Sequence, residues 1–222
     1  MSDREVILGK IRRALAADGN DVGRRAIVIA RLEGTPRGII PERGQLPQDE
    51  RVALFTTMAE KVSATVGRIA ALEDVPRAVA EFLRKHNLPA SLRIGADPLL
   101  ADLAWDGTQI AVSHGPSDGG DPVGLSHAVA GIAESGTLVL TSGPDNPTTL
   151  NFLPETHIVV IRAADIAGDY ETVWDEVRET YGKGHMPRTV NMVTGPSRSA
   201  DIEQTLLLGA HGPRRLHIVV VG

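Results

Sequence analysis

The chain has 222 residues, 42% hydrophobic but only 3% aromatic, so its core must be aliphatic, and a domain of this length needs no disulfide or metal staple. The net charge of −5 is uneven: residues 1–100 hold 16 Lys+Arg against 13 Asp+Glu, and residues 101–222 hold 7 against 15. Neither half is basic enough to track a phosphate backbone, and the total lack of cysteine excludes disulfides, a thiol nucleophile and thiolate ligands for iron–sulfur clusters.

The first residues, Met-Ser-Asp-Arg-Glu-Val-Ile-Leu, have no apolar signal core, and no apolar run approaches the ~18–20 residues of a membrane span. A cytoplasmic protein without a membrane span is expected. Val6, Ile7, Ile11, Ala14 and Leu15 recur with helical spacing and predict a helix over 3–17. Residues 18–49 hold five Gly and three Pro among scattered charges and read as an extended arm, whose Ala26–Ala30 run can lie on another surface. From residue 50 strands and helices alternate. Helices are expected near 50–64 and over 75–86, with Pro76 at the start of the second, and strands at 66–72, 92–95, 109–113, 137–141 and 157–162. A helix near 169–181, a strand at 189–193, a helix at 199–208 and a strand at 217–221 complete the pattern; the last three read as a βαβ unit. Short apolar strands between amphipathic helices argue for a mostly parallel sheet covered on both faces.

Three blocks stand out in the second half: Ile-Ala-Glu-Ser-Gly-Thr-Leu-Val-Leu at 132–140, Thr-Gly-Pro-Ser-Arg-Ser-Ala-Asp-Ile-Glu at 194–203, and Leu-Gly-Ala-His-Gly-Pro at 208–213. In the second block Gly195 permits a turn, Ser197 and Ser199 supply hydroxyls, and Arg198 can fork onto a carboxylate or phosphate at the start of the expected helix. Asp201 either receives a ligand hydroxyl or pairs with Arg198; equally, Ser197 or Ser199 simply caps the helix. In the first block Glu134 beside Gly136 and Thr137 has the setting of a general base or acyl nucleophile, or else bonds nearby backbone amides. His211, between two glycines, is acid, base, carboxylate donor or turn anchor. The Ser142–Pro147 loop follows a strand, where open α/β sheets gather ligands. The histidines lack metal-ligand spacing, so no metal site is expected, and there is no Gly-x-Gly-x-x-Gly turn for a dinucleotide.

In order and spacing these blocks resemble the lactate-utilization domain family, and the cluster-free build resembles its protein C branch. Family members more often carry Thr where Ser135 and Ser199 stand, a change that keeps the hydroxyl. The resemblance implies a fold similar to the NagB/RpiA/CoA-transferase superfamily, a three-layer α/β sandwich around a mostly parallel sheet. Residues 1–49 would form the N-terminal helix and arm, and residues 50–222 the lactate-utilization α/β domain. It also implies a place in the oxidation of L-lactate to pyruvate alongside two iron–sulfur proteins, which would hold the clusters, with no cofactor in this chain. Three roles follow: a subunit that handles substrate or organises those partners, an acyl, coenzyme A or phosphate transferase or ligase-like enzyme using Glu134, or an assembly module without chemistry. Ligand contacts would come from Gly136, Thr137, Gly195, Ser197, Arg198, Ser199 and Asp201, with Glu134 and His211 as catalytic candidates in a cleft formed by 134–146 and 195–211.

Overall fold

A computed structural model describes residues 3–16, 20–199 and 207–222. The chain divides into Met1–Ile39 and Ile40–Gly222. The first unit holds α1 (Asp3–Ala14) and α2 (Val22–Gly34), neither with a buried residue. Helix α2 corrects the reading of 18–49 as extended throughout. Its glycines fall at the ends, where their cost is small, and the Asp21 side chain accepts a hydrogen bond from the Arg24 amide at 3.1 Å, satisfying an otherwise orphaned donor. The Ala26–Ala30 run therefore lies on a helix.

The second unit runs through α3 (Gln48–Lys61), β1 (Thr65–Ile69), α4 (Val75–Lys85), β2 (Ser91–Ile94), α5 (Pro98–Ala101), β3 (Ala111–His114), β4 (Val123–His127), β5 (Ala130–Ile132) and β6 (Thr137–Thr141). It continues with α6 (Thr149–Phe152), β7 (Thr156–Arg162), β8 (Ile166–Ala167), α7 (Tyr170–Tyr181), β9 (Val190–Val193), β10 (Arg198–Ser199), β11 (Leu207–Leu208) and β12 (Arg215–Val221). The central sheet has six strands in the order β1-β12-β7-β4-β2-β3, and every neighbouring pair is parallel. Its inner strands β7 and β12 are mostly apolar on both faces because both are covered. Ile158, Val160 and Val219 pack beneath α4 and α5 with Val79, Phe82 and Leu100, while Val159, Ile161, Ile218 and Val220 face α3 with Val52 and Phe55. That alternation is the period of two of a pleated strand. Helix α4 fits its place: Pro76 opens it, Val75, Val79, Phe82 and Leu83 form one buried stripe, and Arg84 and Lys85 close it against the negative dipole end. The expected α/β architecture around a parallel sheet is present.

A second sheet, β8-β5-β6-β9, reaches the site through β9. Leu138 and Leu140 of β6 face the α3 core, and Val139 packs with Ala130, Ile132, Val173 and Val177 beneath α7. Strand β9 runs antiparallel to β6 in this sheet, whereas β12 lies between β1 and β7 in the other. The anticipated C-terminal βαβ unit is therefore not formed. Nor does a helix open at residue 199. Arg198 and Ser199 pair antiparallel with Leu208 and Leu207, and the rest of the expected helix, including Asp201, lies outside the described residues.

Candidate functional site

The second and third sequence blocks meet at one cavity. Strand β9 ends at Val193, and the chain turns at Gly195 with φ +74°, where a Cβ would strike the Val62 carbonyl just beyond α3. Only glycine suits both the left-handed backbone and the close approach. The Ser197 amide donates to the Pro213 carbonyl at 2.8 Å, the Gly209 amide donates to the Ser197 carbonyl at 2.9 Å, and the Ser197 hydroxyl accepts from the His211 amide at 3.3 Å. Ser197 thus fastens the Gly-Pro-Ser-Arg turn to the Gly-Ala-His-Gly-Pro turn. Between them opens a cavity of about 310 Å³, walled by Gly195, Ser197, Arg198 and His211, with Asn151, His157, Met192 and Leu216 behind. Arg198 is exposed, and its side chain makes no hydrogen bond or ion pair with another described residue. No carboxylate is among the described lining residues.

The first block stands beside this cavity, not in its wall. Glu134 is buried; its Oε1 accepts from the Tyr170 amide at 3.4 Å and its Oε2 lies 3.7 Å from Arg43. It therefore sits at the amino end of α7, where a carboxylate is favoured by the helix dipole. Gly136 has φ +67° in the turn between β5 and β6, and a Cβ there would collide with the backbone nitrogen of Ala59 in α3. Its role is that close approach. Thr137 is fully buried and bonds the Thr194 hydroxyl at 2.7 Å, while Ser135 and Tyr170 complete a hydroxyl cluster with contacts of 2.7 to 3.1 Å. Neither Glu134, Gly136, Thr137 nor Ser199 lines the cavity, so the cleft is formed by 195–198 and 211 without the 134–146 segment.

Three buried polar residues at the back of the cavity were invisible as a group in the sequence: Ser126 of β4, Asn151 of α6 and His157 of β7. The Ser126 hydroxyl donates to Asn151 Oδ1 at 3.2 Å, and His157 Nε2 contacts the Ser126 hydroxyl at 3.0 Å. Burial pushes the His157 pKa down to about 3, so the ring is neutral near pH 7. For Ser126 and His157 the only sequence signal is polarity inside otherwise apolar strands, Val-Gly-Leu-Ser-His and Thr-His-Ile-Val-Val.

The cavity lies at the amino ends of β7 and β12, as the positions of His157 and Leu216 show. At the opposite edge, where the sequence pointed through the Ser142–Pro147 loop, a more open cavity of about 680 Å³ is lined by Glu73, Asp97, Asp102, His127 and Arg162. There Asp97 accepts from Asn146 Nδ2 at 3.0 Å and lies 3.1 Å from His127 Nδ1. Burial pushes the Asp97 carboxyl up, but the bonds from His127 and Asn146, the His127 charge and the Leu99 amide together hold it below its usual value. Three carboxylates against one guanidinium disfavour a small anion in this cavity. Among the described residues no three metal-ligating side chains cluster, and no helix is long and apolar enough to cross a membrane.

A profile of the LUD domain matches residues 122–221, a span that contains all three sequence blocks. Lactate utilization protein C of Geobacillus sp. (strain WCH70) is 41% identical over 100 residues, covering 45% of this chain and 42% of that relative. The match to that relative thus spans less than half of its length. Lactate utilization protein C of Geobacillus thermodenitrificans is 32% identical over 176 residues, covering 75% of this chain and 70% of that one. A solved DUF162 family protein from Deinococcus radiodurans superposes with a TM-score of 0.56 over 80% of this chain and 99% of that one, at 23% identity, which speaks to fold alone. By the extent and identity of the thermodenitrificans match, with the LUD profile over all three motifs, the chain belongs to the lactate utilization protein C family.

Proposed function

We propose that this chain serves lactate utilization by binding a small carboxylate, L-lactate or pyruvate, in the Arg198 cavity, and works beside iron–sulfur proteins that carry the electrons. The observation that carries this reading is electrostatic: Arg198 and His211 line the cavity, and no carboxylate is among its described lining residues. A guanidinium offers two parallel donors that match a carboxylate, and in a partly enclosed site such a charged bond is stronger than in water. Gly195 and Ser197 hold the turn that carries Arg198, and Ser197 ties it to the facing turn by accepting from the His211 main-chain amide.

The supporting comparison is the name shared by several relatives, Lactate utilization protein C. The cysteine-free sequence offers no thiolate ligands, so electrons leaving lactate would pass to clusters held by partner proteins. The chain's part is then to bind and orient the carboxylate. An acyl-transfer reading with Glu134 as nucleophile is less well supported, because that carboxylate is occupied by the Tyr170 amide and Arg43 outside the cavity.

Deleting this chain alone from its host, with L-lactate as sole carbon source, tests the reading. Growth should fail and return on re-expression of the intact chain, but not of Arg198→Ala. Unimpaired growth of the deletion strain contradicts it.

A further inference from the structure

Helices α1 and α2 bury none of their residues, yet both carry apolar side chains. Along α2, Val22, Ile27, Val28, Ile29 and Leu32 are 52–79% exposed. Val28, Ile29 and Leu32 fall on one face of the helix, with Arg24 and Arg31 along its border. A helix of 13 residues is marginal in water by itself, so α2 needs a surface that covers this face. Charge says which surface. Residues 1–39 hold 8 Lys+Arg against 5 Asp+Glu, and residues 40–222 hold 15 against 23, so the first unit is basic and the second acidic. Packing the helices of two copies on each other would set like charges together. The complementary surface is acidic and apolar at once, and the cavity of about 680 Å³ at the carboxyl ends of β4 and β7 is both. Leu72, Leu99, Leu103 and Val129 give it an apolar wall, while Glu73, Asp97 and Asp102 outnumber Arg162.

We propose that this acidic groove receives α2 of a second copy of the chain, with Val28, Ile29 and Leu32 on its apolar wall and Arg24 and Arg31 against Glu73 and Asp102. An amphipathic helix laid in an apolar groove gains affinity from its buried face, and the charges at the rim choose the partner and the register. The exchange is reciprocal. Each copy gives one helix and receives one, as a two-fold dimer requires.

Light scattering on the full chain over a range of concentrations tests this. The chain should form a dimer, and its dissociation constant should rise about 10-fold between low salt and about 0.5 M salt, as screening weakens the charge pairs. Arg24→Glu with Arg31→Glu should give a monomer, and so should Glu73→Lys with Asp102→Lys. All four side chains are exposed, so circular dichroism of both variants should match that of the unaltered chain. Mixed in equal amounts, the two variants should form a dimer, because the reversed helix then meets the reversed groove and the native helix the native groove. An unaltered chain that stays monomeric overturns the inference, as does a dimer indifferent to salt or one that survives either pair of substitutions. Two variants that remain monomeric when mixed overturn it as well, since the helix then does not cross between copies.

Discussion

Thr137 and Thr194, 57 residues apart in sequence, meet hydroxyl to hydroxyl at 2.7 Å. The contact follows from the pairing of β6 with β9, which places Leu138 opposite Val193 and so brings the residues flanking them together. Two sequence motifs that read as separate candidates are in this way one hydrogen-bonded unit, with the first supporting the turn that the second uses to face the cavity.

Thr137→Val keeps the shape of the side chain but removes its bonds to Thr194, Ser135 and Tyr170, leaving Ser135 and Tyr170 bonded only to each other within the cluster. A stability loss of about 1–2 kcal/mol is expected in urea unfolding. Thr194→Val should cost about as much, and the double variant should cost less than the sum of the two. Additive losses would show that the two hydroxyls do not interact.

Gly136→Ala and Gly195→Ala each force a Cβ into a left-handed backbone and against main-chain atoms, of Ala59 and Val62 respectively. Each should destabilise by more than about 2 kcal/mol, since the strained dihedral and the collision add. Gly143→Ala, where the added Cβ meets nothing within 4 Å, serves as the control and should change the unfolding midpoint little.

Acid should weaken the fold through two histidines. Burial lowers the His157 pKa to about 3. For His217 it is lowered to about 4 by burial first, then by the charges of His86 and Lys85, against a raising contribution from Thr65. An unfolded histidine binds its proton near pH 6.5 while these folded ones do not, so their stability contribution is complete above pH 6.5 and falls as pH drops towards 4 and 3. The slope is about 1.4 kcal/mol per pH unit for each group. Glu176, raised by burial and by Asp165, runs the other way just above its unfolded pKa of 4.5. The difference between variants isolates the histidine: urea unfolding of His157→Gln between pH 7 and 5 should show the smaller loss. Identical slopes in both proteins would mean that His157 is not held neutral by the fold.

The parallel sheet was legible because β7 and β12 are long apolar runs, Thr-His-Ile-Val-Val-Ile-Arg and Arg-Leu-His-Ile-Val-Val-Val. Strand β4 was not, since Gly124, Ser126 and His127 interrupt its apolar pattern, and its assignment depends on the parallel neighbours β7 and β2. Partner choice was equally hidden: nothing local tells Val190–Val193 to run antiparallel to β6 instead of parallel to β12. Gly195, Arg198 and His211, which line one cavity, could be singled out in the sequence because each carries a local signal: an obligatory turn, a fork of donors, or an imidazole between glycines. Glu134 carried the same kind of signal, yet the structure directs it to Tyr170 and Arg43. His157 was weighed only for metal spacing. Its environment comes from Ser126 and Asn151, which lie 31 and 6 positions before it in the sequence and converge only when β4 and β7 pair.

Binding of L-lactate to the full chain, compared with binding to Arg198→Ala, goes most directly to the carboxylate site. Arg198 is exposed and bonded to no other described side chain, so its loss should leave the unfolding midpoint in place. Losing one charged, bidentate contact should weaken the affinity about 10-fold or more. Unchanged affinity in a folded Arg198→Ala protein would contradict the site.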